Sequence, residues 1–211
     1  MKTSSNENRK DFFHTPIYSF KVNSPHREQW LQAINELKLL LPKDPSAPLY
    51  RGHKIQLNLF NDPRFVDFKN IVYENALSVA NDLKIDLERM EIKLDHAWAS
   101  INKKGDFNEF HSHPNCDLSG TFYLQSMPSL GSLRFRDPRE PVLLRNPLLT
   151  KSNLFTEEVI FSPVQGMMHF FPSWLLHQVD PNPVDFERIS LSFNISFVMK
   201  PELHGTIQRD W

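Results

Sequence analysis

The apolar residues of this chain change their spacing once, between Leu83 and Met90, and that change limits the folds open to it. Before it they recur as on a helix. Ser24-Pro25 offers an N-cap followed by proline at the first helical position, and Trp30, Ile34, Leu37 and Leu41 then follow at helical intervals, which predicts a helix over about 25–41. Asp62-Pro63 has the same form, and the stripe Phe65, Phe68, Val72, Ala76, Val79 and Leu83 predicts a longer helix over about 63–83. After Met90 the period is two. Helices that precede most of the strands, instead of alternating with them, argue for a sheet with helices packed on its outside. The expected class is therefore mainly β with flanking helices.

The predicted strands are Ile17–Val22, Glu91–Ile101, Phe107–His113, Leu118–Ser126, Ser132–Arg136, Glu157–Phe161, Gly166–Phe171 and Arg188–Met199. In the second of these, strict alternation places Ile92, Leu94, His96, Trp98 and Ser100 on one face and Lys93, Asp95, Ala97 and Ala99 on the other. A composition of 17 Phe and 16 Pro against 6 Gly suits such strands closed by proline-rich turns. Residues 1–11 read as a flexible tail, 12–199 as one domain carrying the two N-terminal helices, and 200–211 as a short extension. The irregular, proline-containing stretch 137–156 reads as a lid over a site.

Charge and cysteine content exclude several function classes. With 24 basic and 25 acidic residues interspersed, the chain lacks the electrostatic footprint of a nucleic-acid binder, so nucleic acid is not an expected partner. No apolar run approaches a membrane span and the first ten residues are polar, so a cytoplasmic protein is expected. A homodimer is compatible with the sequence. The single cysteine, Cys116, rules out an internal disulfide and a thiolate-rich metal site, so any metal must be held by histidine and carboxylate.

Candidate ligands stand in Phe110-His111-Ser112-His113-Pro114. Two imidazoles at i and i+2 on extended backbone share a face, and if buried together they repel when charged and leave ring nitrogens unpaired when neutral. A metal removes both difficulties; an exposed strand end does so as well, and spacing alone leaves the two open. His177 follows the apolar run Phe170-Phe171-Pro172-Ser173-Trp174-Leu175-Leu176. His14, His26, His53 and His204 sit in polar or loop contexts, while His96 and His169 fall within strand patterns as interior, hydrogen-bonded residues. Arg188 heads a strand in which Ser190, Ser192 and Asn194 share its face opposite Ile189, Leu191, Phe193 and Ile195. If that face is buried, a guanidinium flanked by hydroxyls requires an anionic, hydrogen-bonding occupant, and its fork suits a small carboxylate.

The segments His111-Ser112-His113-Pro114, Leu118-Ser119-Gly120-Thr121-Phe122-Tyr123-Leu124, Phe171-Pro172-Ser173-Trp174-Leu175-Leu176-His177 and Arg188-Ile189-Ser190-Leu191-Ser192-Phe193-Asn194 resemble the 2-oxoglutarate- and iron(II)-dependent oxygenases of bacteria and marine phages. The resemblance runs over about residues 12–199. It implies a double-stranded β-helix, the jelly roll shared with cupins, using Fe(II), 2-oxoglutarate and O₂ in the cytoplasm of a bacterial or phage-infected cell. Carried onto this chain, His111 and His177 are metal ligands, Arg188 and Ser190 bind the distal carboxylate of 2-oxoglutarate, and Tyr123 is a further co-substrate contact. The wider superfamily has Asp or Glu where this chain has His113, so either His111 and His177 alone bind the metal with His113 behind them, or His111, His113 and His177 form a three-histidine set. Such a set leaves the metal one charge more positive unless Glu109 or Asp117 compensates. The implied activity couples decarboxylation of 2-oxoglutarate to oxidation of a small-molecule or peptide substrate. Two other readings of the same residues are a zinc-dependent hydrolase using the three histidines and a non-catalytic cupin-like metal-binding module.

Overall fold

The computed structural model of the protein describes residues 13–40, 50–139 and 156–203. Both helix signals act as expected. The Asp62 carboxylate accepts from the Arg64 backbone N–H at 3.0 Å with Pro63 beside it, and this capped turn runs on into α2 (Val66–Asp82). Ser24 Oγ accepts from the His26 N–H at 3.1 Å ahead of α1 (Arg27–Leu40), which begins at Arg27 and not at Pro25.

Eleven strands follow the chain among the described residues: β1 (Tyr18–Lys21), β2 (Tyr50–Arg51), β3 (His53–Ile55), β4 (Met90–Asn102), β5 (Phe107–His111), β6 (Leu118–Gln125), β7 (Leu133–Arg136), β8 (Glu158–Phe161), β9 (Met167–Pro172), β10 (His177–Val179) and β11 (Arg188–Met199). They form a six-stranded sheet in the order β1-β9-β6-β11-β4-β3 and a five-stranded sheet in the order β2-β5-β10-β7-β8. Every pairing is antiparallel. From β4 onward the chain passes back and forth between the two sheets, which makes the architecture a double-stranded β-helix. β2, β3 and β10 are too short to show a period and were not expected from the sequence. The expected lid over 137–156 falls, apart from its ends, outside the described residues, as do the tail over 1–11 and residues 204–211. No helix among the described residues is long and apolar enough to cross a membrane.

The larger sheet has two unlike faces. Its outer face, with Ala97, Ala99, Ile101, Phe122, Phe170, Leu191 and Phe193, packs on Trp30, Ile34 and Leu37 of α1 and Phe68, Val72 and Ala76 of α2. An aromatic chain ties these layers: Trp30 meets Phe68 at 5.7 Å and Phe122 at 6.0 Å between ring centres, and Phe193 meets Phe170 at 5.0 Å. Burying each such ring contributes roughly 2–3 kcal/mol, so the helices fix this sheet from outside. The inner face is polar, with Ser100, Asn102, Ser119, Thr121, Arg188 and Ser190 all buried. A smaller apolar cluster, Leu133, Phe135, Phe171 and Leu175, closes the space between the two sheets.

Strict alternation in β4 fails at one place. Leu94 pairs with Ile195 and His96 with Asn194, so Asp95 is the extra residue of a β-bulge. Ile92 and Leu94 consequently face the helices, on the side opposite to Trp98 and Ser100, which corrects the single face expected for all of them. Asn58 takes up backbone groups at the bulge, donating to the Asp95 carbonyl and accepting from the Ala97 N–H, each at 3.1 Å.

Gly120 in β6 is explained by the same packing. A Cβ there would lie 2.3 Å from the Phe193 ring and 2.6 Å from the His169 carbonyl oxygen. Overpacking of this kind costs about 1–3 kcal/mol, so Gly120→Ala should lower the thermal midpoint by roughly 4–8 °C for about 2 kcal/mol lost. An unchanged midpoint in a calorimetric scan would show that the Phe193 ring moves aside freely.

Candidate active site

Each of the three histidines is aimed by a hydrogen bond from its Nδ1. His111 donates to the Glu109 carbonyl at 2.7 Å and His177 to the Leu175 carbonyl at 2.8 Å, in both cases the residue two places earlier. His113 donates to the side-chain oxygen of Asn194 at 2.9 Å. That amide oxygen also accepts from Ser119 Oγ at 2.9 Å, which fixes which end of the amide faces the ring. With all three Nδ1 atoms engaged, the Nε2 lone pairs are the atoms left to point inward, the arrangement found around imidazole-bound metals. One nitrogen from each ring lies within 4.8 Å of the others, and the His113 Nε2 is buried with no hydrogen-bond partner. A divalent cation fits this donor set.

The backbone reaches this convergence by irregular means. β5 ends at His111, and His113 lies beyond it, its N–H bonded to the Ser173 carbonyl at 2.8 Å. His177 pairs with His111 and Val179 with Asn108, so β5 carries a bulge that lets Asn108 and His111, three residues apart, both line the cavity. The two histidines of the i, i+2 pair thus converge with His177 through a geometry in which simple alternation only half applies. Pairing between β10 and β5 brings the His177 and His111 rings to 4.3 Å, and His113 stacks on Trp98 at 5.5 Å.

Burial pushes all three imidazoles below their ordinary range. His177 falls to about 3 and His113 to about 4, in both cases by burial first and by the charge of His111 second; His111 is lowered in the same direction. They are therefore neutral at pH 7, the protonation state a ligand needs. Among the described residues no carboxylate lines the cavity. Glu109 contributes its backbone carbonyl while its side chain is exposed, and Asp117 accepts from the Phe197 N–H at 2.7 Å, so neither supplies the compensating charge expected of them at this cluster.

The same cavity, about 440 Å³ in volume, contains Arg188, Ser190 and Tyr123. The Arg188 face of β11 is the buried inner one, which settles the question left open by the sequence. Its guanidinium donates from Nη1 to the Leu130 and Gly131 carbonyls at 3.2 and 2.7 Å and from Nη2 to Asn102 Oδ1 at 2.9 Å. These three oxygens are uncharged and fix the orientation of the guanidinium. Gly131, at φ +80°, has no room for a Cβ, which would lie 2.3 Å from the Asp180 carbonyl oxygen. Ser190 stands opposite Tyr123 in the sheet, and burial pushes the Tyr123 hydroxyl up to about 12, with Arg188 opposing, so it stays a donor. Asn102, Asn194, Ser119 and Lys54 belong to this site without having been assigned a role from the sequence. Asn194 lies on the predicted Arg188 face, but its bond to His113 spans 81 positions and has no local signal.

A family model described as "Putative 2OG-Fe(II) oxygenase" matches residues 96–194, the span that contains every one of these groups except Lys54. Over that span, just under half of the chain, it is similar to the 2-oxoglutarate- and iron(II)-dependent oxygenases. The family uses Fe(II), 2-oxoglutarate and O₂. Solved structures agree on the fold: a prolyl-4-hydroxylase of Pseudomonas putida superposes with TM-score 0.57 at 16% identity, over 84% of this chain and 91% of that one. HygX from Streptomyces hygroscopicus, with nickel and 2-oxoglutarate bound, gives 0.57 at 13% identity over 86% and 83%. The viral collagen prolyl hydroxylase of Paramecium Bursaria Chlorella virus-1, in complex with 2-oxoglutarate, gives 0.55 at 13% over 85% and 94%. Comparison with curated protein sequences finds no match.

Of the other histidines, His169 stands apart from the cluster. It bonds Ser19 Oγ through Nδ1 at 2.8 Å, packs against Phe161 and Tyr123, and is lowered to about 4 by burial. Because that value lies below the unfolded one near 6.5, the unfolded chain binds the extra proton between about pH 4 and 6.5, and stability is lost as pH falls through that window. Unfolding free energies from urea titrations should therefore drop toward pH 4 by up to about 1.4 kcal/mol per pH unit more in wild type than in His169→Gln. Equal slopes in the two proteins would mean that His169 gains its proton in the folded state.

Proposed function

We propose that His111, His113 and His177 together hold Fe(II) through Nε2, that Arg188 with Ser190 and Tyr123 binds the distal carboxylate of 2-oxoglutarate, and that the product is a hydroxylated C–H bond of a second substrate. The observation that carries this reading is the presence, in one cavity, of three neutral inward-facing imidazole nitrogens and a buried guanidinium held by neutral oxygens. When bound, the iron supplies the O₂ activation by which 2-oxoglutarate, O₂ and R–H become succinate, CO₂ and R–OH.

The chain's own part is binding and orientation. Asn194 and Ser119 keep His113 in the tautomer with the proton on Nδ1, so that it donates its lone pair where the superfamily places a carboxylate. Arg188, fixed by Gly131 and Asn102, presents its fork to a planar carboxylate, and the Tyr123 phenol stays protonated as a second donor. Phe171 and Leu133 line the cavity with apolar surface and restrict water around these charges. Three imidazoles without a carboxylate would leave a divalent ion held there its full charge, which would favour an anionic co-substrate. A cytoplasmic site of action suits the free thiol of Cys116.

Purified protein supplied with Fe(II), 2-oxoglutarate and air should release succinate. Arg188→Lys keeps the charge and loses the fork, and should raise the KM for 2-oxoglutarate roughly 10- to 100-fold. His113→Ala should weaken Fe(II) binding by a similar factor. If folded Arg188→Lys retains the wild-type KM, the co-substrate carboxylate lies elsewhere; if His113→Ala binds iron as well as wild type, only two histidines are ligands.

A further inference from the structure

Among the described residues two cations line the cavity, Lys54 and Arg188, and no carboxylate does. Lys54 stands on β3, the edge strand of the larger sheet, opposite Ser100 of β4. Its Nζ sits 4.6 Å from the centre of the Trp98 ring, and that ring is itself stacked at 5.5 Å on His113. The ammonium is near enough to the cluster for its charge to lower both His111 and His113.

Three other lysines, Lys38, Lys93 and Lys103, have acids within ion-pair distance. Lys38 meets Glu187 at 2.6 Å and Lys93 meets Asp95 at 2.9 Å. Among the described residues no acid lies within ion-pair distance of Lys54, although it is half-buried. Burial lowers its pKa, and no neighbouring charge offsets the shift. A ring face is a weaker partner than a carboxylate for a cation withdrawn from water. A desolvated ammonium held over an aromatic ring at the wall of a cavity is a site for an anion that arrives with a ligand.

The arrangement separates that ligand from the co-substrate. β4 lies between β3 and β11, so two strand spacings, roughly 9–10 Å, divide the backbones that carry Lys54 and Arg188. Arg188 is turned to the Leu130 and Gly131 carbonyls, whereas Lys54 is turned to Trp98, beside the histidines. We propose that Lys54, seated on Trp98, binds an anionic group of the oxidised substrate, a carboxylate or a phosphate, at the β3 edge of the cavity. This rests on the assignment of Arg188 to 2-oxoglutarate. Lys54 is thereby a specificity-determining residue, and it restricts the substrate class to small acids or phosphorylated compounds.

The test uses the full chain loaded with Ni(II) and 2-oxoglutarate, which does not turn over. Inorganic phosphate and a panel of small carboxylates, each beside its uncharged amide, are titrated against it by calorimetry. At least one anion should bind ten times more tightly than its neutral counterpart or, for phosphate, than to Lys54→Met. The preference should vanish in Lys54→Met, persist in Lys54→Arg, and leave the Kd for 2-oxoglutarate within twofold in both. Preference for phosphate identifies a phosphorylated substrate, and preference for a carboxylate identifies an acid. The proposal is overturned if wild type prefers no anion, if Lys54→Met keeps the preference, or if Lys54→Met weakens 2-oxoglutarate tenfold, which would give the lysine to the co-substrate. Phosphate is also titrated against protein with neither metal nor 2-oxoglutarate. Loss of phosphate binding there on Lys54→Met supports the lysine site even if 2-oxoglutarate fails to bind, a failure that would count against the Arg188 assignment alone. Thermal midpoints of Lys54→Met and Lys54→Gln establish that both variants fold.

Discussion

The structure depends on one strand that is apolar on one face and polar on the other. β11 is paired over most of its length with β4 on one side and β6 on the other. Ile189, Leu191, Phe193 and Ile195 bind the sheet to the helices, and Arg188, Ser190 and Asn194 turn into the cavity. A central strand cannot slip by one residue without exchanging these faces, which would bury Arg188 among Phe68 and Phe122 and place Phe193 among the histidines. The register that gives the protein its core is thus the register that builds its site. Few positions are free to serve one purpose without the other.

That coupling explains why the site was more legible in the sequence than parts of the fold. Arg188, Ser190 and the His111/His113 pair stood out because residue types that are costly to bury recur at a spacing of two, whereas His177, on a strand too short to show a period, was reached through the family resemblance. The helices were equally open to reading, since Asp62-Pro63 and Ser24-Pro25 state their starts in adjacent residues. What escaped was set by neighbours far away in sequence. The bulge at Asp95 reverses the phase of β4, and it is accommodated by Asn58, 37 positions earlier, whose amide bonds the Asp95 carbonyl. β2, β3 and β10 are two or three residues long and exist only because longer strands lie beside them. Lys54 looked like any surface lysine for that reason.

The histidine cluster is held by backbone more than by side chains. Two of the three Nδ1 protons go to carbonyls two residues earlier, so the same local turn orients His111 and His177 from separate strands. Such bonds survive most substitutions, because any residue supplies a carbonyl. His113 is the exception: its acceptor is the Asn194 side chain, and that side chain needs Ser119 to keep its oxygen facing the ring. The position that departs from the superfamily's carboxylate is therefore the one that requires two further residues to specify it.

Charge accounts for the rest of the arrangement. A histidine in place of an aspartate removes a negative charge from the cluster, and no acid among the described residues of the cavity wall restores it. The wall instead adds Arg188 and Lys54, while the imidazoles are held neutral chiefly by their burial. A wall of this composition favours anionic occupants over cationic ones. Because β4 separates the strands that carry the two cations, Arg188 and Lys54 mark different parts of that wall instead of one doubly charged spot.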